Sequence, residues 1–199
     1  ALDSLPLHND EGLHLTRAVE VWNLHPFWEI RDGKIINHWV IALFYPQSSP
    51  VFVGRISTLF ISLLGLAAGL ALLRRVFGST AALLGGLLWV ASPYLFFYER
   101  MIFSDAEAGA LAILAVWLAV RLADRSTIQR AILTGVALGL AALFKFTAIP
   151  FAAAIAIIVL ASRASLGQRF RALIVISVTV TALFAIPIGY LLLRGACAH

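Results

Sequence analysis

The sequence predicts an all-α integral membrane protein, a polytopic helical bundle of about six transmembrane spans with an amphipathic juxtamembrane helix on the extracytoplasmic side. Composition is the first observation: 61% of the residues are hydrophobic, 13% are charged and the mean hydropathy is +0.94, values outside the range of soluble globular proteins. The second is that apolar residues run in stretches of about twenty with few charges, the length that a helix needs to cross roughly 30 Å of hydrocarbon.

Residues 1–49 form a mixed segment that carries most of the acids, and we predict that it is an extracytoplasmic first loop. Within it, one helical stripe is apolar and the opposite face is polar, which predicts a short amphipathic helix lying along the membrane surface. The stripe consists of Leu15, Ala18, Val19 and Trp22, and the face turned away consists of Arg17, Glu20 and Asn23.

Residues 50–199 form the predicted transmembrane bundle, because the sequence becomes continuously apolar after Pro50. The apolar stretches predict spans at about 51–73, 79–97, 106–122, 131–146, 148–162 and 172–193. The stretch from Ala131 to Ser162 admits two interpretations: one long tilted helix, or two short helices that meet in a hairpin around Lys145 to Pro150.

The distribution of arginine favours the hairpin. With a hairpin, one set of loops is almost purely basic, and basic loops stay in the cytoplasm. These loops contain Arg74, Arg75, Arg121, Arg125, Arg130, Arg163, Arg169 and Arg171, against the lone acid Asp124. A single long helix would leave the last three of these arginines outside. The hairpin topology places residues 1–49, the turn at 98–109 and Lys145 at the extracytoplasmic face.

Two adjacent acids, Asp10 and Glu11, stand in the short polar segment LHNDEGLH. A carboxylate at a membrane surface, sheltered by a juxtamembrane helix, can act as a general base on a hydroxyl or amine acceptor. Neighbouring cations would then hold an anionic leaving group such as a lipid-linked phosphate, whose developing charge needs stabilisation where water is partly excluded. The same acids would also suit the start of the amphipathic helix, where they interact with the N-terminal dipole. The residues alone leave both interpretations open.

The turn YERMIFSDAEAG adds a second set of charges at the same face. Asp105 and Arg100 lie at one membrane level, which makes them a candidate pair. Glu107 completes the pattern Ser104-x-x-Glu107, which is typical of a capping box, so we expect Glu107 to cap a helix rather than to react.

Other polar residues have plainer interpretations. Lys145 lies at a span end, where a lysine generally reaches back to the membrane surface. Asp10 and His14, at i and i+4, could share a divalent metal with His8, but histidines often simply sit at the interface, and the sequence assigns no cofactor. The basic loops are topology determinants rather than a nucleic-acid surface, despite a pI near 10.0.

Several motifs occur in an order that is more specific than any one of them. NDEG precedes the amphipathic helix and is followed by GKIINHW, by PVFVGRISTLF at the start of a span, by ASPYLFFYERMIFSDAEAGALAI and by GVALGLAALFKFTAIP. In this order they resemble the N-terminal half of the GT-C type membrane glycosyltransferases, over nearly the whole chain. The most similar branch holds the protein O-mannosyltransferases and the aminoarabinose transferases that act on lipid A.

The resemblance implies transfer of one sugar from a polyprenyl-phosphate sugar to an acceptor at the outer face of the plasma (inner) membrane, with inversion at the anomeric carbon. It implies that Asp10 is the catalytic base, with Glu11 beside it, and that Asp105 is the acid of the second loop. Lys34 matches the residue that contacts the donor phosphate. The candidates for binding that phosphate are Lys34, His38, Arg100 and Lys145. The implied partners are the lipid-linked sugar donor and membrane lipids.

The chain departs from the family pattern in two ways. A Lys-Pro-Pro-Leu-like run is usual in the family, whereas Lys34 is followed by Ile35-Ile36-Asn37-His38. Family members also begin with a transmembrane helix and continue through more helices, so the chain resembles about the first half of such an enzyme without its first helix. The alternative is an inactive transferase-like accessory subunit that packs against other membrane subunits. A transporter fits less well, because the spans contain essentially no ionisable residue apart from Lys145.

Overall fold

The computed structural model describes residues 6–25, 33–43 and 49–196, with side chains through residue 193. Within these ranges the chain is helical and has no strand, which confirms the all-α prediction. The helices are α1 (Asn9–Trp22), α2 (Asn37–Ala42), α3 (Pro50–Phe77), α4 (Ser79–Ala91), α5 (Pro93–Tyr98), α6 (Ser104–Asp124), α7 (Ile128–Phe144), α8 (Phe151–Leu160) and α9 (Leu166–Ala196). Three helices of this part of the chain, α3, α6 and α9, are long and apolar enough to cross a membrane.

Local sequence explains where the apolar helices begin and end. Pro50 occupies the first turn of α3, and the helix stops at Gly78, whose φ of 93° is a conformation that favours glycine. The span predicted at 79–97 is two helices, α4 and α5, instead of one. Ser92 caps α5 by accepting a hydrogen bond from the Leu95 N–H (3.4 Å), and Pro93 cannot continue α4.

The stretch between Ala131 and Ser162 is a hairpin. α7 ends at Phe144, a 3-10 turn follows at Phe146–Ala148, and α8 begins at Phe151. The ten residues of α8 extend about 15 Å, roughly half of the hydrocarbon thickness, so α8 does not cross a bilayer by itself.

Helix α6 lies at the centre of the bundle and packs against α3, α7 and α8. Its buried stripe consists of small side chains, which lets neighbouring backbones approach closely. The stripe includes Ala108, Ala112, Ala115 and Ala119. The closest approach is at Gly65 of α3, where an added Cβ would lie 2.6 Å from the Ala110 Cα.

The outer surface of the bundle is apolar. Large side chains such as Phe60, Leu88 and Leu192 are 67%, 73% and 69% exposed. Exposed apolar area on this scale belongs against lipid, so the chain is an integral membrane protein.

Candidate functional site

The loops divide between two ends of the bundle that differ in charge. One end, called here the acidic end, consists of α1, α2, the turn at 99–103 and the loop at 145–150. The other, called the arginine end, contains the turns that follow α3, α6 and α8, where Arg75 and Asp124 form an exposed ion pair (2.9 Å). The loop at 145–150 lies at the acidic end because Lys145 pairs with Asp105 and the Phe146 N–H donates to the Gly33 carbonyl, as the hairpin prediction requires.

The first loop is fastened to the end of α7 by main-chain hydrogen bonds. The N–H groups of Ile35 and Ile36 both donate to the Leu143 carbonyl, at 2.8 and 3.2 Å. The Phe146 N–H donates to the Gly33 carbonyl at 3.1 Å. These bonds fix the position of the loop residues that precede α2.

Glu11 is the centre of a buried ion pair. Arg55 donates from Nε to Oε1 (2.8 Å) and from Nη2 to Oε2 (2.6 Å), and neither side chain is exposed. The N–H groups of Ile102 and His8 donate to the same carboxylate, each at 3.0 Å. Burial raises the pKa of Glu11, but the hydrogen bonds from Arg55, His8 and Ile102 outweigh it and bring the pKa below its ordinary value. Glu11 thus ties α1 to α3 and to the turn at 99–103.

Asp10 differs from its neighbour, because its carboxylate forms no hydrogen bond within the described part of the chain. Its N–H donates to Nδ1 of His8 (3.2 Å), whose ring packs edge-on against Phe103 at a centroid distance of 5.0 Å. The side chain of Asp10 is half-buried. Of the two adjacent acids, Asp10 has the carboxylate that is available for chemistry.

Next to Asp10 lies a group of basic side chains, called here the imidazole cluster: His14, Arg17, Lys34 and His38. His14 and His38 are 0% and 1% exposed, and within the described residues neither ring has a hydrogen-bond partner at either nitrogen. Burial lowers the pKa of both histidines to about 4; the charges of Lys34 and Arg17 contribute for His14, and that of Arg17 for His38. The half-buried Lys34 forms no ion pair with a described residue.

The buried face of α1 differs from the predicted stripe. Glu11, His14, Arg17, Ala18 and Val21 are buried, whereas Trp22 is 50% exposed. The prediction that Arg17 turns away from the bundle is therefore wrong. The physical reason is that α1 buries polar groups which are paired or clustered at the acidic end, so an apolar pattern does not identify its inner face.

Glu107 does not cap α6, contrary to the capping-box prediction. The N-cap of α6 is Phe103, which makes no side-chain capping bond. Glu107 is fully buried instead; it accepts hydrogen bonds from Asn37 Nδ2 of α2 and from Thr58 Oγ1 of α3, the latter at 3.0 Å. Glu107 therefore joins α6 to α2 and α3.

The remaining predicted site residues also lie at the acidic end. Asp105 accepts a hydrogen bond from Lys145 Nζ (2.5 Å), so Lys145 is an ion-pair partner and not a free cation at the surface. Arg100 does not pair with Asp105; its guanidinium lies 3.4 Å from the centroid of the Phe96 ring.

The described residues contain no group of three or more His, Cys, Asp or Glu side chains arranged to hold a metal ion. His8, Asp10 and His14 thus do not come together as the metal site that their spacing allowed.

The sequence reasoning assigned no role to Arg55 and a capping role to Glu107, although both are ionisable residues of the spans. Arg55 and Glu107 lie inside the predicted spans 51–73 and 106–122, which had been expected to lack such residues. The sequence did contain a signal for these two residues, because a charged residue in an apolar helix generally marks a paired or functional position. Its partners could not be named, since Glu11 and Asn37 lie 44 and 70 residues away.

The sequence profile described as dolichyl-phosphate-mannose-protein mannosyltransferase matches residues 32–190, most of the chain. The chain belongs to this family. Membership places it among the GT-C type membrane glycosyltransferases and confirms the resemblance drawn from the motifs. The matched range includes Lys34, His38, Arg55, Asp105 and Lys145, whereas Asp10 and Glu11 of α1 precede it. No curated protein and no solved structure matches the chain.

Proposed function

We propose that the chain carries the donor-binding half of a glycosyltransferase that moves a sugar from a polyprenyl-phosphate donor to an acceptor hydroxyl at the extracytoplasmic face of the plasma membrane. In this reaction the acceptor oxygen attacks the anomeric carbon, the bond from that carbon to the phosphate oxygen breaks, and the lipid phosphate leaves. Asp10 takes the proton of the acceptor, and attack from the opposite side inverts the anomeric centre.

The contrast between Asp10 and Glu11 carries this proposal. Glu11 is committed to Arg55 and to two backbone N–H groups, so its role is to position α1. Asp10 is held beside it on the same helix with an unengaged carboxylate, next to the imidazole cluster. A base needs a free carboxylate at a fixed position, and Asp10 meets both conditions.

The imidazole cluster is the part of the acidic end that suits the leaving phosphate. Among the cations expected to bind it, Arg100 stacks on Phe96 and Lys145 is paired with Asp105. Lys34 has no such partner among the described residues, and the buried ring nitrogens of His14 and His38 can donate hydrogen bonds to phosphate oxygens. Asp105 then acts by holding Lys145 near the site.

The test is a pair of substitutions in the full-length protein, assayed for transfer from a polyprenyl-phosphate sugar in proteoliposomes. Asp10→Asn keeps the shape of the side chain and removes the base, so transfer should fall by about 10²-fold or more while the thermal unfolding midpoint is unchanged. Glu20→Gln is the matched control on the same helix, at an exposed pair with His25, and should transfer at the wild-type rate. Wild-type transfer by Asp10→Asn would exclude Asp10 as the base.

A further inference from the structure

The arginine end of the bundle contains a cavity between the last turns of α3, the start of α4 and the last turns of α6. Its volume is about 770 Å³, which lies within the range of roughly 300 to 1,000 Å³ that is usual for small-molecule sites. Leu83 in its lining is 64% exposed, so the cavity is open on the side where lipid covers the bundle. Asp10 and the imidazole cluster lie at the opposite end.

The cavity changes from charged to apolar along its length. Arg74 lines it one helical turn beyond Leu70, which is about 6 Å along α3. Trp117 lines it from α6, about 10 Å along that helix from Asp124. A bilayer changes from headgroups to acyl chains over a similar distance, and tryptophan is enriched at that depth. The cavity therefore spans the level where the headgroup of a lipid joins its chains.

Two donors of the lining have no partner in the part of the chain that the structure describes. They are the guanidinium of Arg74 and the indole N–H of Trp117. Arg75 is already paired with Asp124 (2.9 Å), and the guanidinium of Arg121 lies 5.6 Å from the centroid of the Trp117 ring. Three arginines and one carboxylate leave this region with a net positive charge. A ligand that complements it carries a negative charge and accepts hydrogen bonds.

The apolar wall distinguishes a lipid from other anionic ligands. A small soluble anion would leave the surface of Leu70 and Leu83 without a partner. A protein helix would be too wide to enter between α3 and α4, because a Cβ added at Gly86 would lie only 2.9 Å from Leu70 Cδ2. An acyl chain is much narrower than a helix and fits alongside these two helices.

We propose that the cavity binds one anionic phospholipid from the leaflet at the arginine end. Its phosphate contacts Arg74 and the Trp117 indole N–H, and one acyl chain lies along Leu70 and Leu83. Basic cavities between membrane helices recognise anionic headgroups by this chemistry. The ligand is a structural lipid and not a substrate, so the proposal does not depend on the proposed function.

The position of α4 gives such a lipid a structural role. None of the residues of α4 is buried, so the helix has few contacts of its own with the bundle. A phospholipid in the cavity touches α3, α4 and α6 together. It therefore stabilises the packing of α4, and its binding should raise the thermal unfolding midpoint.

Native mass spectrometry of the full-length protein in an uncharged detergent measures which lipids remain bound. Phosphatidylglycerol should be retained saturably, with one molecule bound in the cavity. Phosphatidylcholine with the same acyl chains should bind about tenfold more weakly or worse, because its headgroup has no net charge. Glycerol 3-phosphate has the anionic group without the chains and should not displace the lipid. Displacement by glycerol 3-phosphate would show that the cavity is a site for a soluble phosphate.

Arg74→Gln tests the charged part of the cavity. It should weaken retention of phosphatidylglycerol by about tenfold or more, because it removes a charge-assisted hydrogen bond. Arg163→Gln is the matched control, since Arg163 is also an exposed arginine of the arginine end and lies outside the cavity. This control should retain the lipid as the wild type does. Equal weakening by both variants would show general attraction to a basic surface and would overturn the proposal.

Ala82→Trp tests the apolar part while every arginine stays in place. The indole occupies space that the acyl chain needs, so retention of phosphatidylglycerol should fall. Ala91→Trp places the same side chain at an exposed position of α4 outside the cavity and should have no effect.

Unfolding measurements separate lipid binding from folding. Neither Arg74 nor Ala82 is buried, so without added lipid both variants should unfold at the wild-type midpoint. Added phosphatidylglycerol should raise the midpoint of the wild type and not that of Arg74→Gln. Equal retention of phosphatidylglycerol and phosphatidylcholine, or wild-type retention of phosphatidylglycerol by both Arg74→Gln and Ala82→Trp, would contradict the proposed site.

Discussion

Arg55 Nη2 and Glu11 Oε2 lie 2.6 Å apart, and neither side chain is exposed to solvent. Removing one member of a buried, hydrogen-bonded pair leaves the other charge unpaired away from water, which costs about 3–5 kcal/mol. We therefore expect Arg55→Met and Glu11→Leu each to lower the free energy of unfolding by roughly this amount. Thermal or denaturant unfolding in detergent measures the change.

The exposed pair at the arginine end provides the control for this prediction. Arg75 and Asp124 form the same kind of contact with side chains that are 56% and 41% exposed. Arg75→Gln should change the free energy of unfolding far less than either substitution in the buried pair, because water and salt screen an exposed ion pair. Equal losses of unfolding free energy for the two pairs would show that burial does not make the Arg55–Glu11 pair harder to break than an exposed pair.

Glu107 provides a prediction about buried hydrogen bonds. Glu107→Ala leaves the donors of Asn37 and Thr58 without an acceptor in a buried position and should destabilise the protein by roughly 1–3 kcal/mol for each. Glu107→Gln should be much milder, because the amide oxygen can accept from Asn37 and the amide N–H can donate to the Thr58 hydroxyl. If glutamine proves as harmful as alanine, the carboxyl group itself is required.

The buried histidines predict loss of stability in acid. In the folded protein the pKa of His14 and of His38 is about 4, whereas the value without the fold is 6.5. Between these values the unfolded chain binds protons that the folded protein does not, so stability falls as the pH drops from about 6.5 to about 4, by roughly 1.4 kcal/mol per pH unit for each histidine. Unfolding measured across this window should show the slope.

His38→Gln tests the origin of that slope. Replacing one imidazole by a neutral amide should remove about half of the contribution, and the double variant with His14→Gln should remove most of it. The acid loss due to Glu11 would remain, because its pKa is lowered and its ion pair is lost only as the pH falls through that value. An unchanged slope in the double variant would contradict the assignment.

The proposed sidedness predicts a labelling pattern. In a Cys197→Ser background, a cysteine at Thr16 on the exposed face of α1 should react with a membrane-impermeant maleimide in intact cells. A cysteine at Gly167, exposed near the start of α9 at the arginine end, should react only after permeabilisation. The reverse pattern would place the acidic end in the cytoplasm and remove the basis for an extracytoplasmic transfer reaction.

Features that depend on charge and local pattern could be predicted from the sequence. The hairpin at 145–150 could be predicted from the positions of the arginines, because the charge of each loop is known from the sequence without knowledge of any contact. Motif order implied roles for Asp10 and Lys34, and these roles stay predictions. The break of the span after Ala91 could also have been inferred, since Ser92-Pro93 is a common start of a helix.

Features that depend on distant partners could not be predicted. Glu107 has the spacing of a capping residue, and nothing near it in sequence indicates that Asn37 and Thr58 lie against it. Arg17 has the composition of a solvent-facing position, yet it lies in the imidazole cluster. Local periodicity shows which face of a helix is apolar. In α1 and α6 the buried face also carries polar side chains, because those side chains have partners on other helices that the periodicity does not reveal.

The loop that carries Lys34 is braced by two amide hydrogens, those of Ile35 and Ile36, which both donate to the Leu143 carbonyl. The family's usual run has prolines at this place, and proline has no amide hydrogen to give. The proline rings restrict the backbone of such a run directly. In this chain the loop is instead held by its hydrogen bonds to the end of α7. A tilt of α7 would therefore displace Lys34, so the phosphate-binding role proposed for this lysine depends on the position of α7 as well as on its own loop.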